Sequence, residues 1–165
     1  TLSRIERGVV QFTHGGQIAA PRFAELDRLL ALLVAADITP VIILTPLANR
    51  VLDQMLARPR AYAYVAAFRD RITALNIETY DFTDPESLGA NDCEFLDGFH
   101  GGEIVYQRIL AEIVKRNPRG TVAPLVSITD LRRSIALSGG RALSAESAAT
   151  YALAETDFLE IGCTK

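Results

Sequence analysis

Tryptophan is absent from the 165 residues, methionine occurs once, and cysteine and histidine occur twice each. Two cysteines, Cys93 and Cys163, are too few for the disulfide framework that stands in for a core in small secreted domains. Cys93 lies between Asp92 and Glu94, where negative charge disfavours the thiolate, so it reads as inert, and the near-terminal Cys163 carries no signal of its own. No apolar run approaches the roughly 18 residues of a membrane span. The longest, 29–36 and 41–44, are separated by Asp37, Thr39 and Pro40. Lysine is scarce as well, since arginine supplies 15 of the 17 basic residues. The arginines are spread along predicted helices as solvated faces, with i,i+4 partners such as Arg108 and Glu112. A formal net charge of −3 without a basic stripe excludes a phosphate-tracking surface, and with it a nucleic-acid partner.

What is present is an ordinary globular balance, 49% hydrophobic and 22% charged, in a chain long enough to bury a core. It opens Thr1-Leu2-Ser3-Arg4, without methionine or a signal-peptide pattern, and reads as part of a longer protein. An N-terminal threonine nucleophile needs a strand directly after it, and the charged, unpatterned residues 3–7 do not supply one. Localisation stays open between the cell envelope and the cytoplasm.

Strands and helices alternate along the sequence. Residues 8–13, a short apolar run ending at Gly15-Gly16, are expected to form a buried strand. Pro21 opens a helix whose apolar face is Phe23, Leu26, Leu29, Leu30 and Leu33, ending at Asp37. Val41-Ile42-Ile43-Leu44 is the clearest strand, and its unbroken apolar character implies cover on both faces, as in a parallel sheet. Ala61, Val65, Phe68, Ile72 and Leu75 form one helical seam, and residues 77–82 alternate toward another strand. Asp84-Pro85-Glu86 has the composition of a helix start. Ile104, Val105, Ile109, Leu110, Ile113 and Val114 mark an amphipathic helix ended by Asn117-Pro118-Arg119-Gly120. Strands separated by helical segments indicate right-handed βαβ units and an α/β class. Beyond residue 120, Ser127-Ile128-Thr129-Asp130 fits a capping box, Gly139-Gly140 breaks the helix that follows, and Ser144 caps an alanine-rich one through Leu153. Residues 158–161 have the composition of a terminal strand.

Both histidines, His14 and His100, sit beside glycines at predicted strand-to-helix junctions, where open α/β sheets bind ligands. In Asp97-Gly98-Phe99-His100 the spacing suits a turn in which the carboxylate bonds one imidazole nitrogen, fixes the tautomer and leaves the other nitrogen as a general base. The plainer alternative makes Asp97 a helix cap and His100 a solvated loop residue. No recognised ligand spacing connects His14, Asp92, Glu94, Asp97 and His100, so no metal is assigned. Gly139-Gly140-Arg141 lacks the preceding strand and the lysine of a phosphate loop, and no cofactor is assigned either.

A strand at 41–44 ending in Thr45-Pro46, a helix, a strand over 77–82 and then Asp-Gly-Phe-His resembles the C-terminal part of SGNH/GDSL-type hydrolases. The resemblance covers about residues 9–114, two-thirds of the chain. It implies a three-layer α/β sandwich with a mostly parallel sheet, flavodoxin-like, whose N-terminal strands are missing, over residues 1–120, followed by a mainly helical extension over 121–165. It also implies a Ser-His-Asp triad with Asp97 as orienting acid and His100 as base, and oxyanion contacts near Gly15 and Gln17. The family's Gly-Asp-Ser block has no counterpart here. Gly89-Ala90-Asn91-Asp92 carries the letters of the family's Gly-x-Asn-Asp block but lies too close before Asp97 to be it. The expectation is therefore the later portion of an ester hydrolase or acyl transferase, acting on an acyl-bearing small molecule or a cell-envelope glycan. Its serine would come from a companion fragment, with a homodimer as the other way to cover open strand edges. The alternative from another class is a non-catalytic α/β module that binds a partner protein.

Overall fold

The computed structural model describes residues 1–150, Leu159 and Cys163. The chain begins with a helix, α1 (Leu2–Arg7), closed by Gly8 in the left-handed region at φ 63°. Residues 8–13 do not form the expected strand. Val10–Phe12 is a single 3₁₀ turn, and Val10 itself has a positive φ of 58°. The reason lies in the anchoring of this segment by side chains rather than by a sheet. The buried Tyr62 hydroxyl donates to the carbonyls of Ile5 and Phe12, at 2.8 and 3.0 Å, and Phe12 is sunk into the core.

α2 (Ala20–Ala35) starts around Pro21 as its composition requires. β1 (Val41–Leu44) follows, then α3 (Asn49–Leu56), α4 (Ala63–Thr73) and β2 (Glu78–Asp81). The two strands pair in parallel, Val41 opposite Glu78 through Leu44 opposite Asp81, and among the described residues they are the whole sheet. The class is thus mixed α/β, but helices dominate it. In the α4 seam Ile72 is buried and Ala61, Val65 and Leu75 are half-buried, whereas Phe68 is 39% exposed. Asp84 begins a 3₁₀ turn, Pro85–Leu88, by accepting from the Glu86 N–H at 2.9 Å.

α5 (Glu103–Arg116) buries Ile104 and packs Val105, Ile109 and Ile113 into one core with Phe82 and Phe95. α6 (Ile128–Leu137) packs on α5; its cap is Ser127, whose hydroxyl accepts from Asp130 N–H. Gly139 and Gly140 both take positive φ and end it. The turn that follows returns to the start of α5, where Ile104 N–H donates to the Ala142 carbonyl at 3.1 Å. α7 (Ala145–Thr150) begins after Ser144. The rest of the alanine-rich helix and the strand expected at 158–161 lie outside the described residues, except Leu159, which is in a turn.

Two expectations about side chains are corrected. Cys93 and Cys163 are not free thiols: they form a disulfide that closes a separation of 70 residues. The one signal for it was that the two had no other partner to pair with. Arg108 does not bond Glu112. It grips the fully buried Glu94 with two bonds of 2.8 Å, while Glu112 takes Lys115 and Arg116. Burying a carboxylate demands a partner, so the core acid outcompetes the surface one for this guanidinium.

Candidate functional site

The loop between β2 and α5 is shaped by its own backbone. Leu96 N–H donates to the His100 carbonyl at 2.9 Å and Gly102 N–H to the Glu94 carbonyl at 2.8 Å, so residues 96–100 form a tight excursion closed at its base. Within it Asp97 accepts from its own turn: Phe99 N–H at 2.9 Å and His100 N–H at 2.7 Å both reach Oδ1. The other carboxylate oxygen, Oδ2, lies 2.8 Å from His100 Nδ1. Asp97 therefore does not cap α5, whose first residue follows Gly102 without a side-chain cap.

This arrangement assigns the imidazole. A carboxylate only accepts, so Nδ1 carries the proton and Nε2 is left as the acceptor. Burial pushes the Asp97 carboxyl up, but the His100 N–H, the His100 ring and the Phe99 N–H outweigh it and hold the group below the usual carboxylate range. Asp97 is accordingly ionised near neutrality. Its side chain is 28% exposed and that of His100 is 62% exposed, which leaves the ring open to an incoming group.

His100 lies at the rim of a mainly apolar cavity of about 450 Å³. Its wall includes Phe12, Ile43, Leu44, Tyr64, Phe99 and Tyr106, together with Thr45 and Thr83. Thr45 directly follows β1, and Thr83 comes two residues after β2, so the cavity sits at the carboxyl ends of both parallel strands, the usual ligand position in such sheets. Those two threonines were not singled out from sequence, although the same rule points to them. At the cavity edge Arg69 holds Asp81 at 2.6 Å. Burial of Tyr64 raises its phenol, so it stays protonated at neutral pH.

The remaining sequence candidates are placed elsewhere. His14 Nε2 lies 3.1 Å from the Ile5 carbonyl, and its ring packs edge-on against Tyr62. The Gly15 N–H donates to the Ala61 carbonyl at 2.7 Å, and Gln17 is exposed. Neither Gly15 nor Gln17 lines the cavity beside His100. The Asn91-Asp92 pair has local work: Asn91 accepts from Cys93 N–H, and Asp92 caps α3 by accepting from the N–H groups of Asn49 and Arg50. Among the described residues no three metal-ligating side chains come together. The pairing of Asp97 with His100 is the constellation that the fold does assemble.

No protein-family model, curated protein or solved structure matches the chain.

Proposed function

We propose that the chain is the later portion of an SGNH/GDSL-like serine ester hydrolase or acyl transferase, with a three-layer sandwich completed by segments outside it. The observation that carries this reading is the Asp97–His100 bond of 2.8 Å at the carboxyl ends of a parallel strand pair. Nε2 of His100 takes the proton from a serine hydroxyl supplied by another segment as that oxygen attacks the acyl carbon. It then returns the proton to the leaving alkoxide. Asp97, ionised and braced by two N–H groups of its own turn, stabilises the imidazolium in between. The mainly apolar cavity suits the acyl group, and Thr45 and Thr83 suit an alcohol or sugar. The Gly15 N–H is engaged by Ala61 and neither Gly15 nor Gln17 lines the cavity, so in this reading the oxyanion contact comes with the segment that brings the serine. The Cys93–Cys163 disulfide favours an oxidising compartment, and with it an envelope glycan over a cytoplasmic substrate.

The second reading, a non-catalytic interaction module, draws support from the lining of the cavity, which holds no serine. Turnover separates the two. In the protein expressed with its upstream reading frame, His100→Ala and Asp97→Asn are each expected to lower hydrolysis of a chromogenic acetyl ester by about 10³–10⁴-fold. Unchanged turnover in both variants would sink the enzyme reading.

A further inference from the structure

The Asp97–His100 loop is held from outside by a residue far along the chain. Gly98, between the two, has φ 83°, and a Cβ added there would lie 2.7 Å from Leu159 Cδ2 and 2.9 Å from Val51 Cγ2. Leu159 is 1% exposed, so its side chain fills the notch that the missing Cβ leaves. Its carbonyl accepts from Arg50 Nη1 at 2.9 Å, and the Gly98 carbonyl accepts from Ala48 N–H at 3.0 Å. Four residues beyond Leu159, Cys163 is bonded to Cys93, which stands four residues before Asp97. The loop is thus tied to Leu159 and Cys163 at two points, one packed and one covalent, and these two contacts together form a strap.

We infer that Leu159 is a positioning residue for the Asp97/His100 pair, and that the Cys93–Cys163 bond makes this positioning redox-dependent. The inference deepens the catalytic reading above and rests on it for its functional consequence. A dithiol opens the strap by exchange. Its thiolate attacks one cysteine sulfur and expels the other as a thiolate, and its second thiol then closes to a cyclic disulfide. Cys93 and Cys163 end as thiols carrying the two protons that the dithiol gave up. Both cysteines are half-buried rather than sealed, so the reagent has access. Once free, the tail regains chain entropy and Leu159 leaves the notch, and the turn beneath it loosens.

The test is amide hydrogen exchange by NMR on the 165-residue chain, oxidised and then reduced with dithiothreitol. The Phe99 and His100 amides report directly, because both donate to Asp97 Oδ1. The Ile109 and Ile113 amides in α5 serve as the internal reference. Reduction is expected to speed exchange at Phe99 and His100 by about tenfold or more while α5 stays protected. With the disulfide intact, Leu159→Ala should move the same two amides in the same direction, and Leu159→Met should restore them. Unchanged exchange at Phe99 and His100 overturns the inference. So does a rise of the same size in α5, which would make the bond a support of the whole fold. The readout involves no turnover: a loop that responds to reduction in an inert parent protein would end the enzyme reading and leave the strap standing. A catalytic parent protein with an indifferent loop would do the reverse.

Discussion

α2 and α5 are helices of similar length, and α2 is the more apolar of the two, yet they have opposite fates. α5 buries Ile104, Val105, Ile109 and Ile113. α2 buries only Leu30, while Leu29 and Leu32 remain 51% and 63% exposed. The difference is not in propensity, because leucine and alanine make α2 the better helix former of the two. It is in what each helix finds to lie against. α5 meets Phe82, Phe95 and α6, and its Arg108 is drawn in by Glu94. α2 precedes the first strand of a two-stranded sheet, which is too narrow to cover a sixteen-residue helix. An amphipathic stripe announces that a face wants burial; only the number of neighbouring elements decides whether it gets it.

The largest effect expected from this contrast is in the α5 core. Ile109→Ala removes a side chain that is 2% exposed and should cost about 2–5 kcal/mol, read as a lower urea midpoint at unchanged slope. A cost below about 1 kcal/mol would mean that α5 is no better anchored than α2, and the comparison would collapse. Next comes the buried ion pair. Glu94→Gln keeps the shape but leaves the Arg108 guanidinium, 22% exposed, without its counter-charge. About 3 kcal/mol is expected, because the loss is that of an uncompensated charge rather than of one hydrogen bond. If Glu94→Gln proves neutral, packing alone fastens this region.

A smaller effect concerns acid. Burial pushes the Glu103 carboxyl up, but hydrogen bonds from Ser147 and Ser144 outweigh it, and the group is held below its ordinary value. In Glu112 burial is likewise outweighed, there by Lys115 and Arg116. A carboxyl with a depressed folded-state pKa adds stability that is complete above its unfolded value, roughly 4, and is lost as pH falls through the folded one. Stability should therefore drop below about pH 4, and Glu103→Gln should flatten that limb while lowering the plateau near pH 7. An acid limb of the same steepness in the variant would place the responsible carboxylates elsewhere.

How far the sequence reveals this molecule depends on the reach of each interaction. β1, β2, α5, the Ser127 cap and the Asp84 turn are written in local patterns, and each forms close to where periodicity puts it. The Asp97–His100 bond is also local, three residues apart, and was legible for that reason. The segment at 8–13 misled because strand composition says nothing about a partner strand, and Tyr62, fifty residues on, captures the carbonyls instead. The Cys93–Cys163 bond, the Glu94–Arg108 pair and the seat of Leu159 against Gly98 join residues 70, 14 and 61 apart, and no period in the sequence encodes them. α3 was missed because at eight residues it is short for its periodicity to stand out; its start is set by Asp92, which lies beyond β2.

The smallest expected effect is the most direct probe of the contrast. Leu32→Gln replaces an exposed leucine on α2 with a residue of comparable helix propensity. In the 165-residue chain it should change stability by no more than about 0.5 kcal/mol, because the side chain loses little buried area. The same substitution made in the longer protein that the proposed function calls for discriminates between two pictures. If α2 is a solvent-facing helix in its own right, the change stays near zero there too. If a further element covers α2, the cost rises toward the roughly 1.5–3 kcal/mol of a buried leucine, because glutamine then also strands an amide without partners. The gap between those two numbers measures how much of the helix's apolar face is burial deferred, and α5 supplies the scale on which to read it.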